Sequence, residues 1–174
     1  MYWYVLFVRT GHEERVEKFL KERLDTKLLM PFIPLQERLF KISGTVKREV
    51  GPLFPGYVFI ESEMFGTEFV KKIHHLIYTS CDVIKLLRYS DTEISMRESE
   101  KRILLSLCND QHCIEASSGI IEGNKVHIKG GPLKGRESIV KKVDRHKRRA
   151  EIELMWFGDL RRVSVALEIV SKVK

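Results

Sequence analysis

The sequence predicts an α+β protein of two modules: an N-terminal α/β sandwich with a mainly antiparallel sheet and flanking helices, then a small C-terminal β-barrel. Through residue 107, apolar positions recur alternately at strand and at helix spacing. After residue 120, only short strands separated by glycine-rich turns follow. The net charge also changes at this point. Residues 1–120 hold seventeen basic and seventeen acidic residues, whereas residues 121–174 hold fourteen Lys and Arg and seven Asp and Glu. A neutral module joined to a basic one indicates different partners.

The N-terminal module begins with a strand, a helix and a hairpin. Residues 2–8 are aromatic and β-branched and stop at Thr10-Gly11, which predicts a strand. Residues 13–24 place apolar side chains at helical spacing between charged ones and predict a helix packed on the sheet. Pro31 and Pro34 exclude a helix there. Residues 37–50 predict a charged hairpin that turns at Ser43-Gly44.

Strands and helices alternate in the rest of this module. Residues 57–60 and 83–87 predict strands, with a short helix over residues 69–73 between them. The spacing of Ser90 and Glu93 is that of a capping box, so we expect a helix to begin there and to run to Leu107. The module is predicted to end at residue 110.

A linker is predicted over residues 111–120, where periodicity is weak and small polar residues cluster. The C-terminal module is then predicted over residues 121–174. Its turns lie at Gly130-Gly131-Pro132 and at Trp156–Asp159, between strands whose apolar residues alternate. Closure of these strands into a barrel would remove exposed strand edges.

Composition and the chain's N-terminal residues predict a cytoplasmic protein. No apolar run approaches the roughly 18 residues that a membrane-spanning helix requires. The apolar first residues lack the basic start and the cleavage site of a signal peptide. Three cysteines, Cys81, Cys108 and Cys113, cannot all pair, so we interpret them as reduced thiols. We expect a monomer without membrane association.

The sequence does not predict an enzyme, a cofactor or a metal site. Cys108, His112 and Cys113 lack the second ligand pair that a structural zinc site needs, and His74-His75 is isolated. The scattered carboxylates, hydroxyls and histidines form no recognisable catalytic arrangement. The glycine-rich turn is not followed by the Gly-Lys-Ser/Thr of a nucleotide-binding loop.

Residues 121–144 resemble a KOW motif, the strand-turn-strand core of SH3-like barrels in transcription and ribosomal proteins. The tight turn is expected to bring backbone N–H groups and the side chains of Lys129, Lys134 and Arg136 to one rim. A basic run follows and is predicted to form a hairpin tip that contacts RNA, with the candidate residues Lys141, Lys142, Arg145, His146, Lys147, Arg148 and Arg149. The alternative is a solvated hairpin tip with no polyanion partner.

The segment Pro52–Glu61 adds a second resemblance, together with Trp3-Tyr4 and with Met155–Gly158 near the end. In this order the motifs resemble the NusG family of transcription elongation factors over nearly the whole chain. The resemblance implies an N-terminal domain that docks on the clamp helices of RNA polymerase through an apolar patch. The candidates for that patch are Phe7, Phe54, Tyr57, Phe59 and Tyr89, each of which could instead belong to the core.

Two departures from the family pattern indicate a specialised paralog. Ser138 stands where the KOW motif commonly has glycine, and Cys81-Asp82 replaces a glycine expected before the fourth strand of the sheet. With the basic run, these features resemble LoaP-like antiterminators, related to RfaH, whose KOW domain binds an RNA hairpin. The function implied is processive antitermination on RNA polymerase, with the barrel on nascent RNA.

Two alternatives remain open at this point. A general NusG-type factor would use its KOW barrel to contact the termination factor Rho or a small-subunit ribosomal protein, with Phe157 as the contact. A ribosome-associated KOW protein would bind rRNA structurally, although such a module needs no neutral, aromatic-rich partner domain.

Overall fold

The computed structural model describes residues 1–173, and the chain divides into two compact units. Unit 1 comprises residues 1–34 and 54–101, and unit 2 comprises residues 35–53 and everything from residue 102 onward. Three α-helices and mostly antiparallel sheets within the described residues confirm the predicted α+β class. Lys174, the last residue of the predicted C-terminal module, lies outside the described residues.

The elements follow one another with short connections. In chain order they are β1 (Tyr2–Val8), α1 (Glu13–Arg23), β2 (Leu29–Phe32), β3 (Leu35–Ile42), β4 (Thr45–Pro52), β5 (Tyr57–Ser62), α2 (Gly66–Thr79), β6 (Val83–Leu86), α3 (Glu98–Leu107), β7 (Cys113–Ile114), β8 (Ser117–Glu122), β9 (Lys125–Gly130), a one-turn 3-10 helix (Glu137–Ile139), β10 (Val140–Asp144), β11 (Arg149–Trp156) and β12 (Asp159–Val173). The predicted first strand, first helix and hairpin are confirmed, and α2 is longer than predicted.

Unit 1 contains a four-stranded sheet in the order β2-β5-β1-β6. Its central strand β1 is buried on both faces, because Trp3, Tyr4, Val5 and Leu6 are all 1% exposed or less. On one face the Trp3 ring packs edge-on against Phe59, with ring centroids 5.7 Å apart. On the other face Tyr4 stacks on a phenylalanine of α2 at 3.5 Å. Aromatic side chains of both faces therefore form the core of this unit.

Strand β2 is an element that the sequence does not predict. Prolines in this segment disfavour both a helix and a central strand in a reading of the sequence. Pro31 lies on the edge strand of the sheet, where a missing N–H is tolerated. Leu29 and Phe32 are buried, and burial of these side chains explains why the segment joins the sheet.

The capping box does not begin the third helix, so that prediction was wrong. The Oγ atom of Ser90 does accept a hydrogen bond from the N–H of Glu93 at 3.1 Å, but this bond closes an isolated turn. Beyond it Ile94 and Met96 are buried, and the N–H of Met96 donates to the carbonyl of Trp3 at 2.7 Å. This hydrogen bond to β1 and the burial of both side chains accompany an irregular segment, and α3 begins only at Glu98.

The turn that enters β5 is held by a buried carboxylate. Phe54 to Tyr57 form this turn, with Gly56 at a φ of +87°, the geometry of a type II turn after Pro55. The N–H of Gly56 donates to Oε1 of Glu13 at 2.5 Å, and Glu13 is only 5% exposed. A side chain at position 56 would place its Cβ 3.1 Å from Oγ1 of Thr10. Only glycine therefore fits this turn without strain.

Unit 2 contains a three-stranded sheet and a five-stranded sheet. The first has the order β4-β3-β7, and the second has the order β10-β11-β12-β8-β9. Strands β11 and β12 of the larger sheet carry buried apolar side chains, namely those of Ala150, Ile152, Val165 and Leu167. The outer strands of this sheet, β9 and β10, form no backbone ladder with each other among the described residues. Closure into a barrel stays a prediction.

Residues 111–120 carry regular structure within unit 2. Strand β7 pairs in parallel with β3 through Leu35 and Gln36, and β8 begins at Ser117. The N–H of Ala116 donates to the carboxylate of Glu37 at 2.7 Å. The domain boundaries that the sequence suggests, 1–110 and 121–174 around a linker, stay a prediction.

We expect Glu13→Ala to destabilise the protein by about 1–3 kcal/mol, because the buried N–H of Gly56 loses its acceptor. Urea denaturation of the full chain measures the change. Glu14→Ala is the matched control, since Glu14 is exposed on the same first helical turn and shares the interaction with the helix dipole. Equal effects of the two substitutions would contradict the assignment.

We also expect an acid-dependent loss of stability that involves Asp82. Its carboxylate accepts from Nδ1 of His12 at 2.8 Å and lies 3.3 Å from Nε of Arg15. The His12 hydrogen bond first, and the charge of Arg15 next, hold the pKa of Asp82 below its ordinary value. A depressed pKa in the folded state stabilises the protein above the unfolded pKa of about 4 and loses that contribution as the pH falls further.

Denaturant midpoints at neutral pH and below pH 4 test this expectation. Asp82→Asn should lower the midpoint at neutral pH and flatten its fall in acid, whereas Asp110→Asn, at an exposed position, should leave the pH dependence unchanged. An acid limb that is identical in wild type and Asp82→Asn would contradict it.

Candidate partner-binding surfaces

A half-exposed pair of aromatic side chains, Phe7 and Tyr57, lies at one end of the sheet of unit 1. The two residues are register partners on β1 and β5, and their ring centroids are 5.2 Å apart. Lys85, the register partner of Phe7 on β6, is exposed. We call Phe7 and Tyr57 the aromatic pair. Its rings offer flat apolar area, and aromatic side chains are enriched at protein-binding surfaces.

Two other predicted patch residues lie in the core. Phe59 is fully buried, and Phe54 is 2% exposed and packs on Phe59 with a centroid separation of 6.2 Å. In this conformation they have almost no surface to offer a partner. Their packing instead supports the turn that presents Tyr57.

Tyr89, the fifth predicted patch residue, is held in a polar network. Its hydroxyl donates to Oε2 of Glu100 at 2.5 Å and accepts from the N–H of Arg97 at 3.1 Å. The Arg97 guanidinium lies 4.2 Å above the ring and pairs with Glu93 at 2.7 Å. Burial, and then the hydrogen bond to Glu100, raise the pKa of Tyr89. These contacts give its half-exposed ring a fixed orientation.

The basic tip of unit 2 is a four-residue turn between β10 and β11. Asp144 and Arg149 pair across the ends of the strands, and residues 145–148 form the turn. The carboxylate of Asp144 accepts from the N–H of Lys147 at 2.9 Å. This bond first, and the charge of Lys147 next, lower the pKa of Asp144. The carboxylate thus orders the turn, on which Arg145, His146 and Lys147 are exposed.

The predicted RNA contacts differ in how far they face solvent. Arg136, Lys141 and Arg148 also contact the protein, since Arg136 donates to the carbonyl of Ser106, and Lys141 and Arg148 lie 3.7 and 3.8 Å from glutamates. Arg149 is half-buried, and its Nε atom has no hydrogen-bond partner among the described residues. The exposed members of the set for which no hydrogen bond or ion pair of the side chain is described are Lys129, Lys134, Lys142, Arg145, His146 and Lys147.

The glycine-rich turn uses its own backbone donors internally. The N–H of Leu133 donates to Oγ of Ser117 at 3.1 Å, and the N–H of Lys134 donates to the carbonyl of Gly131 at 3.1 Å. Gly131 has a φ of +86°, and a Cβ there would lie 2.5 Å from Cα of Ser117. The close approach of two backbones therefore requires glycine. Any contact with phosphate at this rim falls to the lysine side chains.

The turn between β11 and β12 presents Phe157. Trp156 and Asp159 pair across it, so Phe157 and Gly158 are its two central residues, with φ values of 49° and 88°. Positive φ at both positions is the geometry of a type I′ turn. Met155 and Leu160, register partners at the base of the turn, are 39% and 67% exposed. Phe157 therefore lies in a small apolar group at a hairpin tip.

Of the three cysteines, Cys81 is exposed, Cys108 is half-buried and Cys113 is buried. Burial raises the pKa of Cys108 to about 12, and burial followed by the charge of Glu37 raises that of Cys113. Within residues 1–173, no three His, Cys, Asp or Glu side chains converge in a way that could hold a metal ion. None of the helices in this part of the chain is long and apolar enough to span a membrane.

One feature near the basic tip has no signal in the sequence. The 3-10 helix at residues 137–139 places Glu137 beside the outer strands of the larger sheet, where an open cleft lies. Alternation in β9 and β10 predicts only that their aliphatic side chains share a face. The cleft depends on how far apart the two strands lie, which local sequence does not encode.

Comparisons with known sequences indicate the family of this chain. Residues 1–105 match the sequence model of a family described as transcription termination factor nusG. A relative from Pasteurella multocida, named transcription termination/antitermination protein NusG, is 25% identical over 178 residues, or 98% of this chain and 94% of that protein. Relatives of the same name from Neisseria meningitidis and Thermus thermophilus are 24% and 23% identical, and cover 98% and 99% of this chain and 97% of each protein. Their names describe transcription factors rather than enzymes, and since the family match spans more than half of the sequence, this chain belongs to the NusG family.

Proposed function

We propose that the protein is a transcription elongation factor that binds RNA polymerase and promotes processive antitermination, while its KOW module holds nascent RNA. The observation that carries the proposal is the division of surfaces along the chain. Residues 1–120 have no net charge and present the aromatic pair, and residues 121–174 have a net charge of +7. An apolar surface and a cationic one suit a protein partner and a polyanion, respectively.

The aromatic pair is proposed as the polymerase contact. Rigid aromatic side chains bury much area on binding and lose little conformational freedom. The rings of Phe7 and Tyr57 are already 5.2 Å apart in the free protein. The clamp helices of the polymerase are the surface that the family resemblance implies for this contact. Tyr89 is proposed at its margin, and the buried Phe54 and Phe59 act as support.

The proposed mechanism is a shift in the populations of polymerase states. A factor that binds the closed clamp more tightly than the open clamp raises the population of closed, elongating polymerase. The size of this shift is set by the difference between the two affinities. RNA held by the KOW module would keep the factor at one transcription complex, because the second contact becomes intramolecular. Antitermination in this account needs no chemistry at the site.

The basic tip is proposed as the RNA contact. Arg145, His146 and Lys147 lie on a turn that Asp144 orders, so their side chains project together from the end of a two-stranded ribbon. Each contacted phosphate releases counterions and strengthens binding. The specialised, LoaP-like role within the family depends on this contact with a nascent RNA hairpin.

A second candidate function rests on Phe157. Its positive φ, and the exposure of Met155 and Leu160 beside it, favour an apolar contact with a protein. A general NusG-type elongation and termination factor would use this tip for Rho or a small-subunit ribosomal protein. The third candidate, a ribosome-associated protein that binds rRNA, leaves the aromatic pair without a role.

We expect Phe7→Ala and Tyr57→Ala each to weaken the binding of the full chain to core RNA polymerase by about 1–2 kcal/mol or more. Competition binding with labelled protein measures the loss. Tyr2→Ala is the matched control, since Tyr2 is a partly exposed aromatic on the opposite face of β1. Thermal melts must show that the variants fold. Wild-type affinity in a folded double variant would refute the polymerase contact.

We expect Arg145→Ala and Lys147→Ala each to weaken the binding of the full chain to structured RNA and to reduce the slope of log affinity against log salt by about one. A stable RNA hairpin and a single strand of equal length are suitable ligands. Lys18→Ala removes an exposed lysine of α1 and serves as the control. If a tip of reversed charge still binds the hairpin and still drives terminator readthrough, the general-factor function is the better account.

A further inference from the structure

The outer strands β9 and β10 of the five-stranded sheet border an open cleft of about 300 Å³. Its apolar lining consists of Val126, Ile128, Val140 and Val143. Ile128 is 6% exposed, and the three valines are half-buried. The cleft thus keeps a continuous aliphatic surface partly in contact with water, and a flat apolar ligand could cover it.

The remaining lining residues are charged. Glu137, Lys141 and Lys142 complete the cleft, and all three are exposed. Nζ of Lys141 lies 3.7 Å from a carboxylate oxygen of Glu153. Oε1 of Glu137 accepts one long hydrogen bond of 3.4 Å, from the N–H of Gly135. An ionised carboxylate has about four acceptor sites, so Glu137 retains capacity for donors of a ligand.

The size and chemistry of the cleft limit its occupant. A volume of about 300 Å³ lies at the lower end of the range for small-molecule sites. Two lysines attract phosphate, aliphatic walls accept a planar ring, and one carboxylate accepts N–H groups. An acidic peptide would meet the lysines favourably, but its carboxylate side chains offer neither a planar ring to the aliphatic walls nor N–H donors to Glu137. A single nucleotide satisfies all three features.

We propose that this cleft receives one unpaired base of the bound RNA, and that the base is a guanine. The inference rests on the RNA binding proposed above and deepens it. Sequence-specific RNA recognition commonly takes unpaired bases out of the stack and reads their Watson–Crick edges. On that edge guanine alone has two adjacent N–H donors, which match the two oxygens of the Glu137 carboxylate. Lys142 then lies beside a flanking phosphate.

Hairpins with one common stem test the inference with the full chain. The stem carries a single bulged G, A, C or U, or no bulge, and binding is measured by fluorescence anisotropy at fixed salt. We expect the G bulge to bind about tenfold more tightly than the unbulged stem, as hydrogen bonds from one base to an ionised carboxylate allow, and more tightly than the other bulges. Glu137→Gln should remove most of the preference for G over A.

The matched control is Glu122→Gln. Glu122 is an exposed carboxylate of β8 outside the cleft, so its substitution changes the net charge equally. Both variants should bind the unbulged stem alike, and only Glu137→Gln should lose discrimination. Thermal melts establish that both fold.

A second measurement needs no variant. Guanosine monophosphate, titrated into the full chain with labelled methyl groups, should shift the methyl resonances of Val126, Ile128, Val140 and Val143, whereas inorganic phosphate should not. If polyglutamate shifts them and the nucleotide does not, the cleft binds an acidic protein segment, and the inference is overturned.

The remaining outcomes separate this inference from the proposed function. If all hairpins bind with the expected salt dependence but the bulge has no effect, the inference is overturned and RNA binding stands. If no hairpin binds, the proposed RNA contact fails, and the nucleotide titration alone then decides whether the cleft takes a base. An unchanged methyl spectrum would overturn it.

Discussion

The hydrogen bond from the N–H of Gly56 to the buried Glu13 carboxylate is the constraint on which the position of the aromatic pair in unit 1 depends. It connects the first turn of α1 to the turn that enters β5. That turn fixes where β5 begins, and the register then places Tyr57 opposite Phe7. A slip of one residue would turn every side chain of β5 to the other face. The aromatic pair therefore depends on a carboxylate that contacts no partner.

Two turns of unit 2 are likewise held by side chains that accept hydrogen bonds from backbone N–H groups. The carboxylate of Asp144 and the hydroxyl of Ser117 accept N–H groups of the basic tip and of the glycine-rich turn, respectively. Because the turns are ordered from within, lysine and arginine side chains need no role in folding them. They remain available for the phosphate contacts proposed above.

Two hairpin tips of unit 2 hold a large side chain at a backbone conformation that favours glycine. Arg148 and Phe157 both have a φ of 49°. Such a conformation costs an L-residue about 1–2 kcal/mol, and it persists only where neighbouring structure imposes it or where the side chain has a use. Arg148 lies 3.8 Å from Glu168 across the sheet, and Phe157 packs edge-on to Trp156. The two tips are accordingly the proposed surfaces for RNA and for a protein, respectively.

The sequence by itself determined the α+β class, the first strand and helix, the hairpin at Ser43-Gly44 and the basic character of residues 121–174, because periodicity, turn residues and charge are local properties. Tertiary structure decided the rest. After Ser90, burial of Ile94 and Met96 and a hydrogen bond from Met96 to β1 take the place of the helix that the capping signal predicts. Of five aromatic candidates for one patch, burial placed Phe54 and Phe59 in the core, and left Phe7 and Tyr57 half-exposed. Strand alternation assigns side chains to a face, but only the packing of helices and neighbouring strands determines which end of that face is covered.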